Sequence, residues 1–351
     1  MLLRDSPYVS FIRHVDDNPQ ILEDNDKLVE TSYFTMADIC RKHTGRYFDA
    51  TSRKQICQWM REYFQIYKTF GSASHNTPLS MGHTVGHVLP VVNQILDSDL
   101  YEIEDGHHRL AIMLAKGHEQ AQVIVRGKKR TFLQEELLRV NQTKGTELYQ
   151  PVPLSEVQTW SLIRKCEDRF AMINCFLESQ HLNRGVRVLD CASSYGWFVK
   201  QFKDHGFDVL GIDKDATAIE LGQLIYDLEQ SDFAHICLED FLSATKARFD
   251  IVLCLSILHH YAIGKENASP EDIVGGLSKI TNKVLFVDTG QSHEQWFHKI
   301  LPEWNTDFVR EFLLKNGDFT EVIVLGADAD NVGMYSDNYA RRLFACVKGS
   351  T

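Results

Sequence analysis

The sequence predicts an α/β chain of two domains, the second built on a doubly wound parallel sheet and the first a smaller α+β unit. Three observations lead there. At 351 residues the chain exceeds one ordinary domain and suits two. From about residue 155 onward, apolar strand-like runs recur: "VRVLDCA", "DVLGID", "HICLED", "FDIVLCLS", "KVLFVDT", "TEVIVLG" and "RLFACVK". Helical segments separate the first of these, which is the pattern of a parallel sheet with crossover helices. Gly145, Pro151 and Pro153 break the segment in between, so domains are expected at 1–145 and 146–351.

The first 75 residues show helical spacing. In "SRKQICQWMREYFQIYKTF", Ile56, Trp59, Met60, Tyr63, Phe64 and Tyr67 fall on one helical face and are expected to pack in a core. A loop of small residues follows, "GSASHNTPLSMGHTVGH", with His83 and His87 as minor candidates for a site. Next come a short strand ("VLPVVNQIL"), a strand–turn–helix ("LYEIEDGHHRLAIMLAKG") and another strand ("AQVIVRG"). The second half opens with an expected helix, "EVQTWSLIRKCEDRFAMINCFLES", carrying Arg164 and Arg169, and then enters the sheet.

Composition narrows the function classes. Apolar residues make up 44% and charged residues 24%, the balance of a soluble globular protein. No apolar run approaches the roughly 18 residues of a membrane span, and "MLLRDSPYVSFIRHVDDNPQ" lacks the apolar core of an export signal, so a cytoplasmic location is expected. Eight cysteines are scattered with no C-x-x-C pair, which favours reduced, mostly buried thiols and no structural metal. Residues 1–150 carry 18 Lys and Arg against 19 Asp and Glu, while residues 151–351 carry 19 against 29. That acidic second half speaks against a nucleic-acid substrate.

Chemistry enters at "VRVLDCASSYGWF". In an open α/β sheet the ligand lies beyond the carboxyl ends of the strands, and the loop after the first strand must let it approach the backbone. Asp190 closes that strand, and Ala192, Ser193, Ser194 and Gly196 are all small. The next strand ends in Asp213, placed to accept hydrogen bonds from ribose hydroxyls. A third strand is expected to end in "LEDF", where Asp240 would take an adenine amino group and Phe241 would cover the ring. Past the fourth strand lie Ser256, His259 and His260, and a histidine titrates near neutrality, as a base for a hydroxyl acceptor must. A dinucleotide-binding dehydrogenase competes for such a sheet, but its pyrophosphate normally demands tighter glycine spacing.

Together these residues resemble the class I S-adenosylmethionine-dependent methyltransferases, over roughly residues 160–351. The resemblance implies a Rossmann-like sheet, S-adenosyl-L-methionine as cofactor, and a cofactor site at Asp190, Ala192, Ser194, Gly196, Asp213, Asp240, Phe241 and Ser256. It implies catalytic or orienting roles for His259 and His260, and "DNYARRLFACVK" as the final antiparallel strand. Arg164, Arg169, Tyr195 and Tyr261 are candidates for contacting the acceptor, with Trp197 and Trp296 as further aromatic candidates. "SILHH" and "LYQPVP" also resemble the methyltransferase part of bacterial polysaccharide chain-terminating kinase–methyltransferases, which implies a glycan or phospho-glycan hydroxyl as acceptor.

A second site is expected in the first half. "YEIEDGHHRLAIMLAKG" ends a strand in Glu102, Glu104 and Asp105, turns at Gly106 and opens a helix with His107, His108 and Arg109. A helix start of this kind suits a phosphate or other anion. Over roughly residues 85–126 the stretch resembles the ParB/sulfiredoxin superfamily, whose turn of this type meets nucleotide phosphates. Sulfiredoxins need a cysteine where His107 stands, so sulfinic-acid reduction is not expected. The resemblance implies binding of a nucleotide, ATP or CTP with Mg, and a phosphotransferase would draw on the three carboxylates. The expectation is a methyltransferase acting on oxygen of a small molecule or glycan. Three alternatives stand beside it: a bifunctional kinase–methyltransferase, a nucleic-acid-directed methyltransferase with an N-terminal DNA- or nucleotide-binding module, and a degenerate, regulatory methyltransferase that binds the cofactor without turnover.

Overall fold

The structure is a computed structural model and describes residues 2–70, 89–141, 146–182, 185–329 and 340–349. The expected loop at 71–87, with His83 and His87, lies outside the described residues. The chain forms two compact units, Met1–Lys129 and Arg130–Thr351. The division falls before the expected 145/146 boundary because Leu133 and Leu137, on a helix after Arg130, belong to the core of the second unit.

The first unit opens with helices α1 (Pro7–Asp17), α2 (Asn25–Val29), α3 (Ser32–Thr44) and α4 (Arg53–Thr69). Local chemistry fixes their ends. Ser52 and Gln55 form a reciprocal capping box at the start of α4, and Gly45 in a left-handed conformation stops α3. The apolar stripe of α4 buries Ile56, Met60, Tyr63, Phe64 and Tyr67 against Phe11, Leu28 and Phe34. Strands β1 (Val91–Ile95), β2 (Tyr101–Asp105) and β3 (Ile124–Lys129) follow, with helix α5 (His107–Ala115) between the last two. The sheet order is β2-β1-β3, with β1 antiparallel to β2 and parallel to β3.

The second unit contains α6 (Phe132–Asn141), β4 (Glu147–Leu148), β5 (Ser161–Leu162), α7 (Glu167–Ser179), β6 (Arg187–Cys191), α8 (Trp197–Asp204) and β7 (Asp208–Asp213). It continues with α9 (Ala216–Tyr226), β8 (Phe233–His235), α10 (Leu238–Ala244), β9 (Phe249–Leu255), α11 (Leu258–Ala262) and α12 (Pro270–Ile280). The last elements are β10 (Thr281–Asp288), α13 (Gln295–His298), α14 (Thr306–Asn316), β11 (Glu321–Ala327) and β12 (Arg342–Val347). Seven strands make one mixed sheet in the order β11-β12-β10-β9-β6-β7-β8. The run from β10 to β8 is parallel, and β12 runs antiparallel to both β10 and β11, so the chain ends in the expected antiparallel strand. Period-two alternation divides each strand between two cores: Ile251 and Leu253 of β9 face one, Val252 and Cys254 the other. Cys191, Cys254 and Cys346 are buried apolar residues of that second core, and all eight cysteines are free.

Two expected elements differ. The single helix expected over 156–179 begins only at Glu167, because Cys166 takes a positive φ of 66° and Ser161–Leu162 is paired with β4. Arg164 therefore lies ahead of the helix. The third strand ends at His235, not at "LEDF", and Asp240 stands exposed in the first turn of α10. Among the described residues no helix is long and apolar enough to cross a membrane.

Candidate active site

Strand order reverses between β6 and β9, so the crevice at their carboxyl ends is the place where this architecture admits a ligand. The loop from Asp190 to Gly196 borders it. Ala192, Ser194 and Gly196 all adopt left-handed backbone, with φ of 55°, 54° and 82°. For Ala192 and Ser194 that conformation is strained by about 1–2 kcal/mol each. The surroundings must therefore impose it. Ser193 N–H donates to the Ile212 carbonyl at 2.9 Å, and Ser194 N–H donates to Asp213 Oδ2 at 2.7 Å. Gln150 braces the far side. Its Nε2 donates to the Ser193 carbonyl (3.3 Å), its Oε1 accepts from Trp197 N–H (3.2 Å), and its backbone N–H donates to the Tyr195 hydroxyl (2.8 Å). A Cβ on Gly196 would lie 2.6 Å from Phe233, so this position requires glycine for space as well as for φ.

Asp213 ends β7 with Oδ1 accepting from Asp215 N–H at 2.8 Å and Oδ2 engaged by the loop. Burial raises its pKa, against the pull of the two backbone amides. Each carboxylate oxygen has room to accept a second hydrogen bond. Asp190, buried at the end of β6, has an unpartnered Oδ2; burial and then the charge of Asp213 push its pKa up to about 8.

Across the crevice, Ser256 follows β9 at a φ of 57° and gives both its N–H (2.7 Å) and its hydroxyl (2.8 Å) to Asp288 Oδ1. Arg169 Nη1 bonds Asp288 Oδ2 at 2.8 Å. Burial alone would raise Asp288, but Arg169, Arg164 and Arg341 outweigh it and hold the carboxyl well below its ordinary value. Arg164 pairs with Asp328 (3.1 Å), and Arg341 grips Glu294 through two bonds of 2.7 Å. Glu294 also accepts from Trp296 Nε1 (2.9 Å), which fixes the segment facing His259.

His259 is buried beside His260, Trp296 and Phe297, and its Nδ1 has no hydrogen-bond partner. Burial, with Arg341 and His260 adding to it, holds its pKa well below the ordinary histidine value, so the imidazole is neutral at pH 7. His260 is half-buried and also lowered by burial, with Lys265 next in weight.

The structure thus places Asp190, Ala192, Ser194, Gly196, Asp213 and Ser256 at the carboxyl ends of β6, β7 and β9, with His259 and His260 on α11 directly after β9. The other expected residues are engaged by buried partners or lie on α10. Tyr195 is fully buried as a brace to Gln150, and Tyr261 is a core residue. Phe241 packs on Phe249 in the core, and Asp240 is exposed on α10. Arg164 and Arg169 are committed to buried carboxylates. Gln150, Asp288, Glu294 and Arg341 escaped the sequence reading. Asp288, as the last residue of an apolar strand, carried the one usable signal. A cleft of about 820 Å³ lined by Arg248, Lys283 and Lys348 lies at the opposite ends of β9 and β10.

In the first unit, Gly106 turns at a φ of 94° where a Cβ would sit 2.8 Å from Pro90. The acidic residues are engaged in ion pairs: Glu102 with Lys129, Glu104 with Arg126, and Asp105 with Arg109, and Glu104 also accepts a hydrogen bond from Asn93 Nδ2. His108 points into the core, where Nε2 meets the Tyr33 hydroxyl at 2.6 Å; burial lowers its pKa to about 3. His107 stacks on Tyr8 and is lowered by burial. Among the described residues no group of His, Cys, Asp or Glu is arranged to hold a metal ion.

Among solved structures the chain is similar to the bifunctional kinase-methyltransferase WbdD, at 19% identity and a TM-score of 0.47. The match covers 60% of this chain and 46% of that one, so this chain spans less than half of the length of the WbdD chain. It is also similar to magnesium protoporphyrin IX methyltransferase from Synechocystis PCC 6803 with bound SAM, at 14% identity, a TM-score of 0.40, and coverage of 61% and 90%. A third likeness is to the N-methyltransferase NodS from Bradyrhizobium japonicum WM9, at 14% identity, a TM-score of 0.36, and coverage of 51% and 87%. No curated protein matches the chain. Residues 189–281, which run from the strand before the loop to the start of β10, match the methyltransferase domain family, and the C-terminal unit therefore carries a methyltransferase domain.

Proposed function

We propose that the second unit transfers a methyl group from S-adenosyl-L-methionine to an oxygen of a small molecule or glycan. One observation carries the reading. The left-handed loop of Ala192, Ser194 and Gly196 is tied directly to the Asp213 carboxylate, so the ribose acid and the cofactor loop form one unit. The remaining acceptor positions of Asp213 take the ribose hydroxyls, and the amide-rich loop, with no glycine-rich phosphate cradle, receives the amino-acid end. Methyl transfer is an in-line displacement, so the protein mainly positions the acceptor and removes its proton. His259, with an open Nδ1, receives that proton, though burial and the charge of Arg341 hold its pKa well below the ordinary histidine value and so weaken it as a base, and His260 orients the acceptor. Tyr195, Tyr261, Arg164 and Arg169 hold the walls, through their buried partners, and do not meet the acceptor.

For the first unit the reading is a phosphate-binding turn at Gly106, with the backbone amides of 107–109 as donors. Phosphotransfer with ATP or CTP and Mg draws no support from the geometry, since Glu102, Glu104 and Asp105 are each tied to a cation. The acidic balance of residues 151–351 supports a small-molecule or glycan acceptor over nucleic acid.

Thermal-shift titration tests the second unit. S-adenosylmethionine and S-adenosylhomocysteine should stabilise the wild-type chain by mass action. Asp213→Ala should abolish that shift, and absence of any shift in the wild type would overturn the reading. Release of S-adenosylhomocysteine in the presence of hydroxyl acceptors, lost in His259→Ala, tests the chemistry.

A further inference from the structure

Asp190 is 3% exposed and its Oδ2 is buried with no hydrogen-bond partner. A buried carboxylate without a cation or donors is costly as an anion, so the position calls either for a cation or for a proton. Among the described residues, the cations near it are already shared. From β7 it faces Asp213, with Lys214 and Asp215 behind that carboxylate. From α7 it faces Arg169, whose Nη1 is bonded to Asp288 of β10. From β9 and from its own strand come the thiols of Cys254 and Cys191, both raised by burial and neutral. Two carboxylates therefore stand close together at the carboxyl ends of β6 and β7, and the nearby guanidinium is already paired.

We propose that Asp190 senses ligand charge: it is neutral in the free protein, releases its proton when a cationic adenosyl sulfonium ligand binds, and regains one when methyl transfer leaves a neutral thioether. The inference rests on the proposed function. In the transfer itself the carbon–sulfur bond breaks with its electron pair staying on sulfur, the carbon–oxygen bond forms, and the acceptor's proton goes to the base. Asp190 exchanges its proton with solvent before and after that step. The consequence is a site that holds substrate cofactor more firmly than spent cofactor, and increasingly so as pH rises.

The sign follows from the raised pKa. Below about 8 Asp190 is protonated in the free protein, so an ion-paired complex must expel the proton, and affinity climbs with pH until about 8 and then levels. The test is calorimetry of the full chain with S-adenosylmethionine and S-adenosylhomocysteine, in two buffers of different ionisation enthalpy, between pH 6 and 8.5. Because the α-amino group of the cofactor titrates near 8 itself, the comparison is between wild type and Asp190→Asn. The expected result is close to one more proton released per S-adenosylmethionine bound by wild type at pH 7. Wild-type affinity should gain up to about tenfold per pH unit over the variant's profile, with a smaller gain for S-adenosylhomocysteine. Equal proton release by both chains, or equal gains for both ligands, overturns the inference and leaves the proposed function standing. Should the variant fail to fold, wild type alone decides, because equal proton counts for the two ligands overturn the inference. Binding of neither ligand to wild type overturns the proposed function, and this inference with it.

Discussion

Gly222 offers a direct test of how the cofactor loop is held. It lies inside α9, where glycine costs about 1 kcal/mol relative to alanine. On propensity alone, Gly222→Ala should stabilise the protein. The packing predicts the reverse. A Cβ at this position would lie 2.9 Å from the carbonyl carbon of Tyr195 and closer still to its oxygen, against a comfortable separation of roughly 3.5–4.0 Å. Tyr195 cannot yield, because its fully buried ring is anchored to Gln150 at both the hydroxyl donor and acceptor positions. Either α9 or the loop must shift, at an overpacking cost of about 1–3 kcal/mol. Gly275 is the matched control. It also lies within a helix, α12, but its nearest neighbour to a new Cβ is the Asn316 carbonyl oxygen at an ordinary 3.6 Å. Gly275→Ala should therefore gain about 1 kcal/mol, and Gly222→Ala should fall below it by about 1–3 kcal/mol. Urea titration followed by tryptophan fluorescence, to which Trp160, Trp197, Trp296 and Trp304 of this unit contribute, reads both. Equal stabilisation by the two substitutions would refute the claim that helix α9 presses on the loop.

Two further predictions concern buried charge. Arg169→Met removes the bonded partner of Asp288 and strands a buried carboxylate, so the second unit should lose about 3–5 kcal/mol; a change below 1 kcal/mol in denaturant titration would show that Arg164 and Arg341 suffice. In the first unit, the folded pKa of His108 lies near 3, below its ordinary value of 6.5. The unfolded chain then binds a proton that the folded one does not, so stability is present above pH 6.5 and declines as pH falls toward 3, by up to about 1.4 kcal/mol per unit. His108→Asn should flatten that decline in an acid titration of far-ultraviolet dichroism, and an unchanged slope would remove His108 as its source.

Much of the second unit was legible in sequence because its signals are local. Apolar runs separated by helices require a crossover sheet, and the acids at the ends of β6 and β7 fall at the carboxyl edge by strand direction alone. The small residues of the loop announced a close approach, and Ala192 and Ser194 do carry the left-handed backbone that glycine would adopt freely. The expected strand-end position of Asp240 differs because strand length is a tertiary matter. β8 is an edge strand of three residues, and α10 begins at Leu238.

What the sequence determined by itself was therefore the kind of sheet, its strand direction and the side chains presented at its ligand-binding edge, since these follow from residue periodicity and turn chemistry. Only the tertiary structure decided which polar groups remain open to a ligand. Arg164, Arg169, Tyr195, Glu102 and Glu104 all read as site residues in one dimension, yet each is engaged by a partner distant in the chain or across the sheet. The physical reason is that a buried charge or hydroxyl must be satisfied, and its partner is chosen by the fold, not by proximity in sequence.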